Sequence, residues 1–442
     1  MTIAALEFLS FGLARMAEAA DAAGHRLVLL TGDRGVYRHE LATLPEGAID
    51  VVDVDTGDPA AVREVLAGLP ELAGLVNTTD TWSLPAAELA RELGLPGPRP
   101  ELVRGLRDKA WVRRTLHREG LSRGSAVVIA AGETVAPENA QNVQAETAHA
   151  EPVPEEAVPE EVVPEEAVRR ITADVGLPAV LKDSAGTSSR AVWIVRDERE
   201  LRAALAEAAE LPLTGELFAE PFLAGPLYSA ETLSWEGETR LLGVSSRQTS
   251  RTPAVREEGA AFPVALPPAE LSGIERWVAR VLAAAGHDQG FAHVEFVLTA
   301  EGPELVEINR RLGGALVAEA LCRNLRANVY EAMVAVTLGE RPGLLDAPAA
   351  PEPGPAVAFV LVYAETPGVL LEWTGVEGLG AFPGAVEWYP VRVPGDSVPT
   401  VLDQRGCTGM VLAHAPTAEL AQHRAWSAAT SVRPVMKTAG AL

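Results

Sequence analysis

Two carboxylates, an amide and a guanidinium lie close together as Glu295, Glu307, Asn309 and Arg311, within Gly290–Gly314, GFAHVEFVLTAEGPELVEINRRLGG. FAHVEFVL alternates small or polar residues with large apolar ones, TAEGP is turn chemistry, and ELVEIN reads as a second strand. Side chains alternate faces along a strand, so Glu295 points with Phe291 and His293, and Glu307 with Asn309 and Arg311. Paired as an antiparallel hairpin, the strands bring two carboxylates and an amide to one face. A hard cation such as Mg²⁺ takes oxygen ligands from a few side chains and completes its shell with phosphate. Arg310–Arg311 and Gly313–Gly314 follow at once and supply a cationic clamp. Taken alone, the stretch serves any Mg-phosphate chemistry, or a structural ion.

Further candidates lie upstream. Lys182 ends the strand LPAVLK and precedes the small-residue loop AGTSSR. A lysine there places its ammonium on phosphate oxygens while loop N–H groups cradle others. Lys109 stands on the earlier helix RDKAWVRRTL, and Glu220 in LFAEPFL is a strand-edge acid. The compact phosphate signatures are missing: no G-x-x-x-x-G-K-[ST], and no G-x-G-x-x-G opening a helix after a strand. Neither H-E-x-x-H nor G-x-S-x-G occurs.

The elements that must position these residues follow from periodicity. TIAALEFL, RLVLLTGD, IDVVDVD and GLVNTTD alternate with helical stretches, the pattern of a parallel doubly wound sheet whose ligands bind at the carboxyl ends of its strands. That places Glu7–Gly12, Thr31–Arg34 and Thr78–Asp80 beside a possible substrate crevice. RDKAWVRRTLHREGL reads as an amphipathic helix. The segments LPAVLKDS, AVWIV, ELFAEPFLAGPLYSAETLSW and TRLLGVSS read as strands of a second unit with antiparallel character. ALVAEALCRNLRANVYEAMVAVTLGE reads as one long helical region, and a last unit starts near Ala356. Between them, residues 132–168 carry VPEEA, VPEEV and VPEEA in tandem, with ten Glu and no Lys, Arg or Asp. Proline at that density forbids a regular helix or central strand, so a disordered insert is expected.

Composition narrows the function. A chain of 442 residues holds about two to four units. The formal net charge of −24 opposes general binding to nucleic acid or anionic membranes, and the chain stays acidic without the insert. Cys322 and Cys407 are the only cysteines and form no metal-ligand spacing. The N-terminus lacks the features of a signal peptide, and no apolar run is long enough to span a bilayer. A cytoplasmic location is expected.

The combination, in this order, resembles the ATP-grasp superfamily, and within it the carboxylate–amine ligases that join amino acids. The resemblance rests on VNTTDTWSLPAAELARELGLPGP, RDKAWVRRTL, GLPAVLKDSAGTSSRAVWIV, AEPFLAGPLYSAETL, HVEFVLTAEGPELVEINRRLGG and the terminal TGMVLAHAPTAELAQHRAWSAA. It implies an α/β chain, α+β in its ATP-binding part. A pre-ATP-grasp domain would cover residues 1–100, with a connecting helix and the start of the ATP-grasp at 101–131. The insert at 132–168, the ATP-grasp domain at 169–342 and a small C-terminal α+β domain at 343–442 would follow. By the same resemblance Lys109 and Lys182 hold the α- and β-phosphates, and Ser188 and Ser189 belong to the loop that covers them. Glu220, Phe222 and Leu223 face adenine, Glu220 directly or through backbone. Glu295, Glu307 and Asn309 carry Mg²⁺ or Mn²⁺, and Arg311 clamps the γ-phosphate, an acyl phosphate or a substrate carboxylate.

The implied reaction joins a small-molecule carboxylate, such as an amino acid, to an amine with release of ADP and phosphate, in a homodimer. Two alternatives stay open: carboxyphosphate chemistry on the same fold, and ATP binding without catalysis in a regulator. The chain departs from the family pattern at four places. Ser188 and Ala191 stand where glycines are common. Leu227 replaces a ribose-binding Glu, for which Glu231 is the expected substitute. Arg310 replaces the Pro of E-I-N-P-R, and Ala260 replaces a His near the amine substrate.

Overall fold

The computed structural model describes residues 1–129, 165–187, 190–250, 256–348 and 354–437. The expected insert lies outside the described residues at 132–164, and so do Ser188 and Ser189. The last part of that insert is corrected: Glu165–Val168 open a helix, and Ala167 and Val168 are buried in a core. The run EEAVRRITAD supplies acids for the helix N-terminus and apolar residues at helical spacing, which outweighs the proline-rich context just before it.

The chain divides into two compact units, Met1–Arg107 with Ala224–Leu442, and Asp108–Leu223. The larger unit begins with strands β1 (Thr2–Leu6), β2 (Arg26–Thr31), β3 (Asp50–Asp53) and β4 (Leu72–Val76). They form a parallel sheet in the order β3-β2-β1-β4, as the alternating pattern requires. Helices α1 (Leu13–Ala22), α2 (Arg38–Thr43), α3 (Pro59–Gly68), α4 (Ser83–Glu92) and α5 (Pro100–Arg107) follow or connect the strands. All five residues of β1 are buried, the signature of a strand covered on both faces. Asp58 caps α3 by accepting from Ala60 N, with Pro59 at the first turn, a local reason for the helix to start there.

The smaller unit holds α6 (Lys109–Arg118), α7 (Glu165–Asp174) and α8 (Glu198–Ala209). Its sheet joins β5 (Val127–Ile129), β6 (Ala179–Asp183), β7 (Val192–Val195) and β8 (Leu217–Pro221) in the antiparallel order β5-β8-β6-β7. Its core is made of Ile171, Leu181, Leu201, Leu205 and Leu217 with their neighbours. The stretch read as one strand from Glu216 to Trp235 is two, β8 here and β9 (Leu227–Trp235) in the larger unit, separated by residues 222–226.

In the larger unit β9, β10 (Glu238–Thr249), β11 (Glu257–Phe262), β12 (Gly290–Thr299), β13 (Gly302–Asn309) and β14 (Ala356–Tyr363) belong to one sheet. With β16 (Glu387–Pro390) and β18 (Cys407–Ala415) the order is β13-β12-β9-β10-β11-β14-β18-β16. Strands on either side of residue 342 therefore share a single sheet. A small sheet of β17 (Ser397–Val398), β15 (Gly368–Thr374) and β19 (Arg433–Lys437) lies beside it in sequence.

Helices α9 (Pro268–Ala284), α10 (Val317–Leu325), α11 (Val329–Thr337) and α12 (Ala418–Ala429) complete the unit. The expected long helix is two, because Arg326 adopts a left-handed conformation and Asn328 caps the second helix at Tyr330 N. Gly74 lets α11 lie against β4: a Cβ there would sit 2.6 Å from Thr337 Cγ2 and 2.8 Å from its carbonyl oxygen.

Candidate active site

The hairpin β12–β13 forms as the alternation requires. Glu295 lies directly opposite Glu307, and His293 directly opposite Asn309. A bulge follows at once, since Phe296 pairs with Leu305, and such bulges re-aim side chains. The other face is packed: Phe296 is fully buried against Tyr228 and against Trp277 of α9. Burial of Val294 and Phe296 on that side fixes the register, which leaves His293, Glu295, Glu307 and Asn309 on the opposite face.

Like charges directly opposite one another destabilise a sheet. Here cations offset the repulsion. Arg247 of β10 places Nη2 3.4 Å from Glu295 Oε1, and His293 Nε2 lies at the same distance. Burial alone would push Glu295 up; Arg247 and His293 reverse this and hold it well below the ordinary range, so it is an anion. His293 is buried with Glu231 at 2.9 Å, and the neighbouring carboxylates raise its pKa to about 9 against the cost of burial. Arg247 also reaches Glu257 at 3.0 Å, and this carboxyl is raised by burial more than Arg247 lowers it.

Glu231, the expected ribose contact, is buried within the sheet. It is 2% exposed and accepts from His293 Nδ1, Ser229 Oγ and Ser245 Oγ. Its oxygens are spent inside the sheet, orienting the imidazole that touches Glu295.

Arg311 turns to the N-terminal sheet. Its Nε and Nη2 donate to Asp80 Oδ2 at 2.9 and 2.5 Å, and its Nη1 donates to the Leu312 carbonyl. Asp80 follows the carboxyl end of β4, among the residues the strand–helix pattern places at a crevice.

The donor set Glu295, Glu307 and Asn309 fits a hard cation that arrives with phosphate. Two carboxylates and one amide supply oxygens only, and one wall of ligands is left for an incoming group. Among the described residues no group of three or more His, Cys, Asp or Glu could hold a metal ion.

The smaller unit carries the other candidates. Lys182 is buried at the end of β6 and its Nζ lies 2.6 Å from Glu220 Oε1. Arg113 Nε donates to Glu220 Oε2 at 2.9 Å. Burial would raise the Glu220 carboxyl; Arg113 and Lys182 outweigh it and lower the pKa. The Glu220 carboxylate, expected to meet adenine directly or through backbone, is therefore engaged by two cations. Phe222 is 39% exposed, Leu223 is half-buried, and the Phe222 N–H is taken by the Pro178 carbonyl at 3.1 Å.

Lys109 opens α6 behind the cap of Asp108, which accepts from Trp111 N. Its Nζ donates to the Gly186 carbonyl at 2.5 Å and its N–H to the Ser184 carbonyl at 3.0 Å. The loop after β6 is braced at its base, since Asp183 accepts from Ala185 N, Thr214 N and Gly215 N.

Sequence reasoning missed Arg113, Arg247 and Glu257. Arg113 had a usable signal: it stands on the apolar stripe of its helix with Ala110 and Leu116, where a charge needs a partner. Arg247 and Glu257 gave none, since strand alternation does not say which polar face is covered.

Three family models match. The ATP-grasp N-terminal domain model matches residues 17–97, the ATP-grasp domain model 175–319, and L-amino acid ligase C-terminal domain 2 residues 360–437. An uncharacterized protein, y4rH of Sinorhizobium fredii, is 26% identical over 88% of this chain and 73% of its own length. Human carnosine synthase 1 is 27% identical over 41% of this chain, a match that spans 24% of that protein. The L-amino acid ligase of Bacillus licheniformis superposes with a TM-score of 0.75 at 17% identity, covering 99% of each chain, a likeness of fold.

Proposed function

We propose that this chain, which belongs to the ATP-grasp superfamily and carries the C-terminal domain of the L-amino acid ligases, is an ATP-dependent ligase that joins a carboxylic acid to an amine. The observation that carries the reading is the facing pair Glu295 and Glu307 with Asn309, beside an Arg311 already held by Asp80. The likeness to an L-amino acid ligase over the whole length supports an amino acid as the acid component.

ATP enters as a substrate. Lys182, oriented by Glu220, and Lys109, at the start of α6, take the α- and β-phosphates. The backbone of Glu220 to Leu223 reads the adenine edge. Glu295, Glu307 and Asn309 hold Mg²⁺, which when bound screens the phosphate charge. Arg311 clamps the anion at the reacting end. An oxygen of the acid attacks the γ-phosphorus as the bond to ADP breaks, giving an acyl phosphate. The amine nitrogen then attacks the acyl carbon, phosphate leaves, and the nitrogen loses its proton to solvent. Bringing anions together is the main barrier in such chemistry, so positioning and fixed positive charge supply most of the catalysis.

The test is phosphate release by purified protein over a matrix of amino acids and amines, with mass spectrometry of the products. The reading expects ADP and phosphate in equal amounts, dependent on both an acid and an amine, with an amide product. Turnover that needs bicarbonate would instead assign carboxyphosphate chemistry. Mg-ATP binding with no turnover, unchanged by Glu307→Ala, would assign a regulator.

A further inference from the structure

The larger unit contains a cavity of about 90 Å³ whose lining, Arg311 apart, has no part in the ligase reading. Ala86, Ala87 and Ala90 of α4, Phe291 of β12, and Met333 and Val336 of α11 give it apolar walls. Its polar lining is almost wholly spent elsewhere. Ser83 Oγ donates to the Asp80 carbonyl, Thr337 Oγ1 to the Met333 carbonyl, and Asn77 Nδ2 to the Leu6 carbonyl. Arg311 is committed to Asp80 and Leu312.

Arg310 is the charged exception, with the Gln289 amide also in the lining. It lines the cavity, and among the described residues its guanidinium makes one hydrogen bond, from Nη2 to the Gln289 carbonyl at 2.8 Å. It faces no carboxylate within ion-pair distance among those residues. Asp288, the acid that acts on it through space, is paired with Arg99 at 3.5 Å. Arg310 is half-buried, and a guanidinium at an apolar cavity with most of its donors unused by protein gains from an anion placed in that cavity. One planar fork against apolar walls suits a carboxylate with a hydrocarbon tail; a phosphate calls for more donors than the cavity offers.

We propose that this cavity binds a small monocarboxylate with an apolar tail, its carboxylate on Arg310 and its tail against α4 and α11, without reacting there. Arg310 and Arg311, adjacent in sequence, then have separate tasks. The site needs no nucleotide, so its failure leaves the ligase reading standing, and failure of that reading leaves this site standing.

The test is calorimetric titration of the full chain, without ATP, using acetate, propanoate, butanoate and pentanoate. Affinity is expected to rise about fourfold per methylene as the tail is buried. Arg310→Met is expected to lose binding tenfold or more, and Arg311→Met to keep it. Ala90→Leu, which narrows the cavity without touching the guanidinium, is expected to abolish the dependence on chain length. It decides the matter if Arg310→Met fails to fold by circular dichroism. Equal binding by Arg310→Met, loss in Arg311→Met alone, n-butylamine binding as tightly as butanoate, or no binding by any of the four acids would overturn the proposal.

Discussion

Arg311 and Asp80 form an ion pair across the larger unit, with Nε and Nη2 of the arginine on one carboxylate oxygen at 2.9 and 2.5 Å. The pair ties the turn after β13 to the loop after β4, 231 residues apart in sequence. It also fixes the direction of the guanidinium before any substrate is present. Burial would lower the Arg311 pKa, and Asp80 holds it raised, so the group stays charged.

Asp80→Asn keeps the shape of that contact and removes its charge. We expect a fall in kcat of tenfold or more with the KM for ATP nearly unchanged, and a stability loss of about 1–3 kcal/mol. Steady-state kinetics with a melting curve check it. A change in the KM for ATP alone would show that Asp80 does not act through Arg311.

Glu307→Gln removes one of two facing carboxylates. Arg247 and Arg311 act on Glu307 through space, so the variant loses attraction together with the repulsion from Glu295 and is expected to fold about as stably as the parent. Turnover should fall about 10²-fold or more, and half-saturating Mg²⁺ should rise. Titration of Mg²⁺ at fixed ATP reads this directly; an unaltered metal dependence would remove Glu307 from the ligand set.

Glu220 links acidity to the stability of the smaller unit. Its folded pKa lies below the ordinary 4.5, through Arg113 and Lys182 acting against burial. The stabilisation is therefore complete above the unfolded value and lost as pH falls through the lowered folded value. Glu220→Gln should remove this acid-side dependence. At neutral pH it should cost about 3–5 kcal/mol, because two buried cations lose the carboxylate they share. Denaturant unfolding at pH 7 and at pH 3 to 5 compares the two; parallel curves for parent and variant would contradict it.

Two deletions separate the acidic insert from the helix that follows it. Removal of 132–164 with a short linker should leave ATP turnover largely intact. Extending the deletion through Val168 also removes buried Ala167 and Val168, and should lower stability by about 2–4 kcal/mol. Equal melting temperatures for the two would show that the first turn of α7 contributes nothing.

Asp108→Ala removes the cap of α6 next to Lys109. A loss of about 1 kcal/mol is expected. The KM for ATP should rise several-fold while kcat changes less, because Lys109 sits in the first turn that frays. An unchanged KM would separate Lys109 from nucleotide binding.

The sequence by itself determined the local elements and their polarity. Alternation over FAHVEFVL and ELVEIN, with a turn between, is enough to make a hairpin with Glu295, Glu307 and Asn309 on one face, because strand periodicity is a property of the backbone. The parallel sheet of the first hundred residues was legible for the same reason. Three things were not. Glu231 looked available for a ligand, yet the strand order places it between His293, Ser229 and Ser245. Glu220 looked like a free acid, yet it is the anion shared by Arg113 and Lys182. Arg310 and Arg311 looked like one clamp, yet they turn to different partners, Gln289 and Asp80. In each case the deciding contact joins residues distant in sequence. Local pattern says that a side chain is polar and which way it points; only the packing of other elements says whether a partner is already waiting there.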